Sequence, residues 1–416
     1  MYREEADGSA LVWGIPAAPF VPVQHFQIDV STLNRLSSYC LRLARERGWL
    51  QTPDDVVHAT PYAQRNEAHP LVGQGSHVYT GPDSTFFFAG TEEILEDPHP
   101  NFQFPPTLST LFVKAHFYLV HVGSSSYSVY TKLYTYLDGQ EETARDLLGS
   151  FKVTAVWVSK KLRIPTALPA DKQLLLRSIA AKNAAKLSLS DSARTKRISV
   201  SDLLLHSGWF ANAAAIASME LAAYSPLSAP PASEFLVSLP HVHSAAPLWL
   251  LHRRHFSLRE ADIDFNLHVN QLVTKLFVID TFRGAAGDAR CAYSRLLPPG
   301  VPLNRADLLL RKFRMDYVRE IPMGCAATEV FLFPADPGRA KVQFSSVGTS
   351  TGCRDVDAAT AAAALHSDAA LAPPAAADMM DIGFFVVGVL RLDGASSSDR
   401  FIATVGVMTA ATCFLH

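Results

Sequence analysis

No two cysteines of this chain stand close enough in sequence to clamp a zinc ion. The five (Cys40, Cys291, Cys325, Cys353, Cys413) are odd in number, widely spaced and without a CxxC pair. That excludes a disulfide framework and fits a reducing compartment. Net charge is also scarce: the formal value is −2 with 15 histidines counted neutral, which argues against a broad nucleic-acid or anionic-membrane surface. Long apolar runs are missing too. IGFFVVGVL and FIATVGVMTAATCFL fall short of the roughly 18–20 residues a membrane-spanning helix needs. The first ten residues, MYREEADGSA, carry acids and no apolar core, so they read as neither a signal peptide nor an acid-poor transit peptide. No GxSxG elbow occurs, and GSSSYS is a turn, so a serine hydrolase finds no support. The histidines of HVHSAAPLWLLHRRH lack a carboxylate at ligand spacing, and no metal site is expected there. No cofactor is implied.

The chain does have enough apolar residues (48%, against 18% charged) to bury a sizeable core over 416 residues, and enough length for two domains at roughly 100–200 residues each. Two halves repeat one order of elements. In the first, VQHFQIDV (23–30) reads as a short strand, and STLNRLSSYCLRLARERGWL as a helix capped by Ser31 or Thr32. The stretches 108–122, 125–139 and 147–160, rich in Val, Phe, Tyr and Thr, read as strands, with Gly123 and Asp138-Gly139 as turns. In the second half, LWLLHRRHFSLREADI reads as a strand and LHVNQLVTKLFVIDTFRG as a helix ended by Gly284. Strands follow at 307–321, 325–335, 340–349, 383–394 and 399–410. One helix followed by long strands, twice over, points to an α+β unit whose sheet wraps a helix that is apolar on most faces.

The texture changes between the halves. Residues 166–245 combine the basic AAKNAAKLSLSDSARTKRISVSD, a helical LLLHSGWFANAAAIASMELAAYS and the Pro-rich SPLSAPPASEFL, and read as a linker with helical parts. The basic stretch has no aromatic or Gly-rich recognition pattern beside it, so a solvated linker is favoured over a nucleic-acid patch. The expected division is a unit at 1–165, the linker at 166–245, and a unit at 246–416 with an Ala-rich insertion at about 350–381.

One stretch is chemically dense. DIDFNLHVNQ (262–271) puts Asp264, Asn266, His268 and Asn270 at alternate positions, between apolar residues. Were it extended, Asp264, Asn266 and His268 would share one face while Ile263, Phe265 and Leu267 pack behind, since side chains alternate with period two. If the helix begins near His268, its unpaired amides and positive dipole end lie beside that cluster. Each residue also has a plain structural use. Asp264 and Asn266 are common helix caps, His268 alone suits a core hydrogen bond, Asn270 suits the helix start, and Glu320 alone would pair with Arg319 at the surface.

These residues carry a resemblance. The run DIDFNLHVNQ, with FRMDYVREIPMG about fifty positions on, resembles the tandem hot-dog acyl-ACP thioesterases. That family's pattern is an Asp-x-Asn-x-His-Val-Asn-Asn run opening a central helix, then a strand with an aromatic, basic residues and a Glu-Cys pair. Asp264, Asn266, His268, Val269 and Asn270 match the first part, and Tyr317, Arg319 and Glu320 the second. Gln271 stands in place of the second Asn and Ile321 in place of the Cys, so a cysteine-nucleophile route is closed and carboxylate-activated water stays open.

The resemblance implies a tandem (double) hot-dog of the α+β class, each unit an antiparallel sheet wrapped around a central helix. The N-terminal unit, which lacks a DxNxH run, would be catalytically silent. It further implies hydrolysis of acyl thioesters of acyl carrier protein or coenzyme A, with catalytic residues Asp264, Asn266, His268 and Glu320. Asp264 or Glu320 would be the base, Asn266 would orient water or substrate, and His268 would bind the thioester oxygen or position a carboxylate. The alternative is a thioesterase-like scaffold without chemistry, binding acyl chains or a protein assembly. A dehydratase of the same fold fits less well, because its His and acid arrangement differs from DxNxHVN. The expected protein is a cytoplasmic or organelle-matrix monomer (an internal pseudo-dimer) or a homodimer, with no nucleic-acid partner and no transmembrane segment.

Overall fold

The computed structural model describes residues 1–21, 29–50, 84–96, 110–137, 146–159, 161–162, 164–187, 196–199, 203, 252–264, 267–287, 307–335, 344, 379–390 and 399–413. Of the strand expected at 23–30 only Asp29 and Val30 are described, and they cap and open a helix instead; nearly all of the strand at 340–349, the helix at 203–225 and the Ala-rich 350–381 lies outside these residues.

Among the described residues eleven strands form one antiparallel sheet: β1 (Tyr2–Glu4), β2 (Ala10–Pro16), β3 (Ser84–Leu95), β4 (Leu111–Val122), β5 (Ser126–Leu137), β6 (Asp146–Ser159), β7 (His252–Ser257), β8 (Asp307–Tyr317), β9 (Cys325–Pro334), β10 (Met379–Leu390) and β11 (Asp399–Cys413). Their order is β1-β2-β4-β5-β6-β3-β8-β11-β10-β9-β7. The first six come from the first half and the last five from the second, so the sheet changes half at one seam. There β3 pairs antiparallel with β8, from Gly90 opposite Asp316 to Ile94 opposite Lys312. A Cβ on Gly90 would stand 2.7 Å from Asp316 Oδ1, so glycine is what lets the seam close.

Helix α1 (Val30–Glu46) packs across the first half. Its buried Leu33, Leu36, Cys40 and Ala44 share one core with Phe151, Val153, Ala155 and Trp157, every second residue of β6, which α1 packs against. Asp29 caps α1, where Ser31 or Thr32 was expected: its Oδ1 accepts the Thr32 amide at 2.8 Å, and its own amide donates back to Thr32 Oγ1 at 3.3 Å. A carboxylate beats a hydroxyl there because it also faces the positive end of the helix dipole.

Helix α2 (Ala170–Leu187) lies in the segment read as linker, yet it is docked rather than solvated. Leu176, Ile179 and Ala180 are buried, and Asn183 accepts the Leu119 amide of β4 at 3.2 Å. Helix α3 (Gln271–Gly287) packs on β7, β9 and β10 and touches α1. It runs a turn past Gly284, the expected stop, because Ala285 and Ala286 are fully buried and keep the last turn packed. Its buried residues lie on several faces, as a helix lodged between sheet and helix requires. The strand expected over 248–263 is shorter, since Glu260–Asp262 form a 3-10 turn instead. No helix among the described residues is long and apolar enough to cross a membrane.

Candidate active site

The chemically dense stretch does not run extended. Asp262 is buried, and its carboxylate accepts the Arg259 amide at 2.9 Å and the guanidinium at 2.8 Å. Those bonds from Arg259 lower its pKa. The chain then reverses. The Asp264 amide donates to the His268 carbonyl at 2.7 Å, the Leu267 amide to the Asp264 carbonyl at 3.0 Å, and the His268 amide to Asp264 Oδ1 at 3.2 Å. Leu267 sits at φ 63°, outside the comfortable range for a leucine, and Ile263 bridges Val269 across the turn. The expected one-faced alternation of Asp264 and His268 is therefore corrected: they meet because the turn closes between them. A local side chain-to-backbone bond from an aspartate competes with extended structure in this way. Asn266 lies outside the described residues.

A second segment is zipped onto this turn. The Val269 amide donates to the Ile321 carbonyl at 2.8 Å, the Met323 amide to the Leu267 carbonyl at 2.9 Å, and His268 bridges Pro322. The pairing carries Glu320, just past the end of β8, to His268: Nε2 and Oε2 are 3.1 Å apart. The imidazole is mostly shielded (17% exposed) and the carboxylate half-open (40%). Phe87 of β3 holds the ring edge-on at 6.3 Å between centroids. Ile321 is buried in the core, where the resemblance places a thiol.

Helix α3 starts at Gln271, three residues later than the expected start near His268, because Asn270 caps it. Asn270 Oδ1 accepts the Leu272 amide at 2.8 Å, and its carbonyl the Thr274 amide at 3.0 Å. The structural use foreseen for Asn270 is what the geometry shows. Gln271 turns aside to the Phe88 carbonyl at 3.4 Å.

His268 and Glu320 stand at one end of a cavity of about 660 Å³. Phe87, Val156 and Val158 line it near the pair, and Lys152, Glu92, Arg314 and Asp316 line it further along the seam. Asp264 joins His268, Glu320 and Thr274 around a separate recess of about 70 Å³. Three of the four named site residues are thus brought together. The β3 wall went unread in the sequence; on the β8 side of the seam, the alternation of Arg314 and Asp316 with Phe313, Met315 and Tyr317 in FRMDY was a usable signal. No group of His, Cys, Asp or Glu able to hold a metal occurs among the described residues.

No family model and no curated protein matches the sequence. Among solved structures, the chain is similar to a 12:0-ACP thioesterase from Umbellularia californica at 10% identity, covering 98% of this chain and 95% of that one with a TM-score of 0.45. It is similar to an acyl-ACP thioesterase from Bacteroides thetaiotaomicron at 10% identity, covering 98% and 100% with a TM-score of 0.44. A TesB protein of Mycobacterium avium subsp. paratuberculosis matches at 7% identity, covering 99% and 96% with a TM-score of 0.35.

Proposed function

We propose that this protein hydrolyses acyl thioesters carried on acyl carrier protein or coenzyme A, with Glu320 as general base. One observation carries the reading: an imidazole and a carboxylate from separate segments meet at 3.1 Å where a cavity opens beside the start of a buried helix. An imidazole N–H donated to Glu320 fixes the carboxylate while leaving it open to solvent. Glu320 takes a proton from water, and the water oxygen bonds to the thioester carbon. The carbonyl oxygen gathers the negative charge beside the leading end of α3, whose dipole favours it. The C–S bond then breaks, the leaving thiolate takes the proton from Glu320, and the carboxylate is ready again. Asp264, whose Oδ1 is spent on the His268 amide, holds the turn. His268 positions Glu320, and Asn266 orients water or substrate.

On this reading residues 1–165 and 246–416 are the two units of a tandem hot-dog, joined by 166–245 and paired within one chain, as a monomer or a dimer of such chains. The protein works in the cytoplasm or an organelle matrix. On this reading the first unit is catalytically silent: α1 opens on a capping aspartate, and the unit's sequence carries no DxNxH run. The test is release of free thiol from panels of acyl-CoA and acyl-ACP. Chain-length-dependent release supports the reading. Folded protein that releases none from any substrate removes it, and leaves an acyl-binding scaffold.

A further inference from the structure

We propose that Arg319 holds the carboxylate of the acid set free by hydrolysis, so that the product binds this site more tightly than an uncharged compound of the same chain and inhibits it. The assignment rests on the hydrolase reading for the identity of the anion; the placement of the guanidinium stands without it.

The chain just past β8 aims this side chain. The Val318 and Arg319 amides both donate to the Ala403 carbonyl of β11, at 2.8 and 3.0 Å. Two residues facing one across an antiparallel pair make a bulge, which turns side chains out of the regular alternation. Arg319 lies over the ring of Phe401, two residues along β11 from Ala403, with its Cζ 4.4 Å from the ring centroid. Glu320, its neighbour in sequence, goes to His268 instead. The surface ion pair that the sequence alone would give Arg319 and Glu320 is not among those of the described residues.

The guanidinium keeps its donors open. The buried ring of Phe401 steadies it, and its N–H groups make no hydrogen bond or ion pair among the described residues. A guanidinium held on an aromatic ring retains the planar N–H fork that meets a carboxylate through two parallel bonds. Arg319 lines both spaces at the site: the large cavity, and the recess it shares with Asp264, His268 and Glu320. No other Arg or Lys lines that recess among the described residues.

Charge then separates substrate from product. A thioester carbonyl is uncharged, whereas the acid that replaces it, with an ordinary carboxyl pKa of about 4, is ionised at neutral pH. The new anion arises in a recess already lined by two carboxyl groups, Asp264 and Glu320, and like charges repel. An open guanidinium beside them offsets that repulsion and adds charge-assisted bonds, which a neutral thioester cannot match.

Calorimetry without turnover tests it. Octanoate, dodecanoate and hexadecanoate are titrated into the protein at neutral pH, each against the primary alcohol of the same length. At the length that binds best, the acid should bind at least tenfold more tightly than the alcohol. In Arg319→Met, whose thioether can keep the contact with Phe401, that preference should vanish while the alcohol binds as before; in Arg319→Lys part of it should return. Arg319 is exposed, and Arg319→Gln replaces the Met variant should that one misfold. Four results overturn the proposal: equal affinity of acid and alcohol, an acid preference that survives the loss of Arg319, acid and alcohol weakened alike in the variant, or no binding of either. None of these touches the hydrolase reading, which stands or falls on thiol release. Where release is seen, the free acid should inhibit it, at least tenfold more weakly in Arg319→Met.

Discussion

Lys275 on α3 and Glu93 on β3 form an ion pair in which neither side chain reaches solvent, and Asn34 on α1 donates to the same carboxylate oxygen at 3.1 Å. The pair joins the two halves of the chain at the seam. Burial pushes the Glu93 pKa up and the Lys275 pKa down, each against the pull of its partner. Removing one partner strands a charge in the core. Lys275→Met or Glu93→Gln alone should cost stability, about 3–5 kcal/mol for a broken buried pair. The double variant Lys275→Met/Glu93→Leu should recover most of that loss. Urea unfolding of the three variants checks it, and equal losses in singles and double would refute the coupling.

Glu320 is half-open to solvent and bonded to His268 alone among the bonds described, so its chemistry separates cleanly from the fold. Glu320→Gln should lower kcat by roughly 10²–10⁴, the usual worth of a general base, with the melting temperature unchanged. His268→Ala should lower kcat less far than Glu320→Gln, because the carboxylate loses its anchor and not its proton-accepting group. Steady-state kcat of both variants, measured side by side, distinguishes base from positioner. A Glu320→Gln enzyme with parental kcat ends the assignment.

Asp264 offers a sharper discrimination. Its Oδ1 accepts the His268 amide, a task an asparagine oxygen performs equally well. Asp264→Asn should therefore keep most activity, and Asp264→Ala should lose much of it as the turn around Leu267 relaxes. A collapse of kcat in both variants would make Asp264 the base instead.

Much of the fold was legible because β4, β5, β6 and the second-half strands carry Val, Phe and Tyr in near alternation. Strand β3 was not. In STFFFAGTEEIL the register shifts between Phe88 and Gly90, which breaks the period-two pattern, and Glu93 is buried only because Lys275 meets it from 182 residues away. Local composition cannot announce such a partner. In the candidate site, the sequence named Asp264, His268 and Glu320, which the structure brings together, and misread the geometry that does so. The alternation of Asp264 and His268 looked like a strand, but one carboxylate–amide bond turned the chain. Asn270 was readable as a cap because capping needs only neighbours in sequence.

That cap supports a prediction of its own. Asn270→Ala should destabilise the protein by about 0.5–2 kcal/mol, with Asn270→Ser close to parental, as for other helix caps. Because the same residue donates its amide to the Asp262 carbonyl at 2.8 Å, a frayed cap should also loosen the turn that presents His268. Chemical denaturation and hydrogen exchange at Leu272 and Thr274 read the two effects separately.

Acid should loosen the first half before any carboxylate of ordinary pKa titrates. His116 on β4 touches Ser9 Oγ at 3.0 Å through Nε2 and the Tyr118 hydroxyl at 2.7 Å through Nδ1. Burial, with the ammonium of Lys186 adding to it, pushes its pKa down to about 3; Lys114 and Lys132 push the same way and Asp7 opposes. An unfolded histidine titrates near 6.5, so between about pH 6.5 and 3 the unfolded chain binds a proton the folded one refuses, and stability falls as pH falls through that window. Asp7 extends the fall. Burial pushes its carboxyl up, but the bonds from Lys186 and Ser9 outweigh that and hold it below the ordinary range. Its stabilising contribution is present above about pH 4 and is lost as pH drops further. The melting temperature should decline from pH 7 to 5 in the parent and decline less in His116→Gln, which has no proton to gain. Parallel declines in the two proteins would show that His116 takes no part.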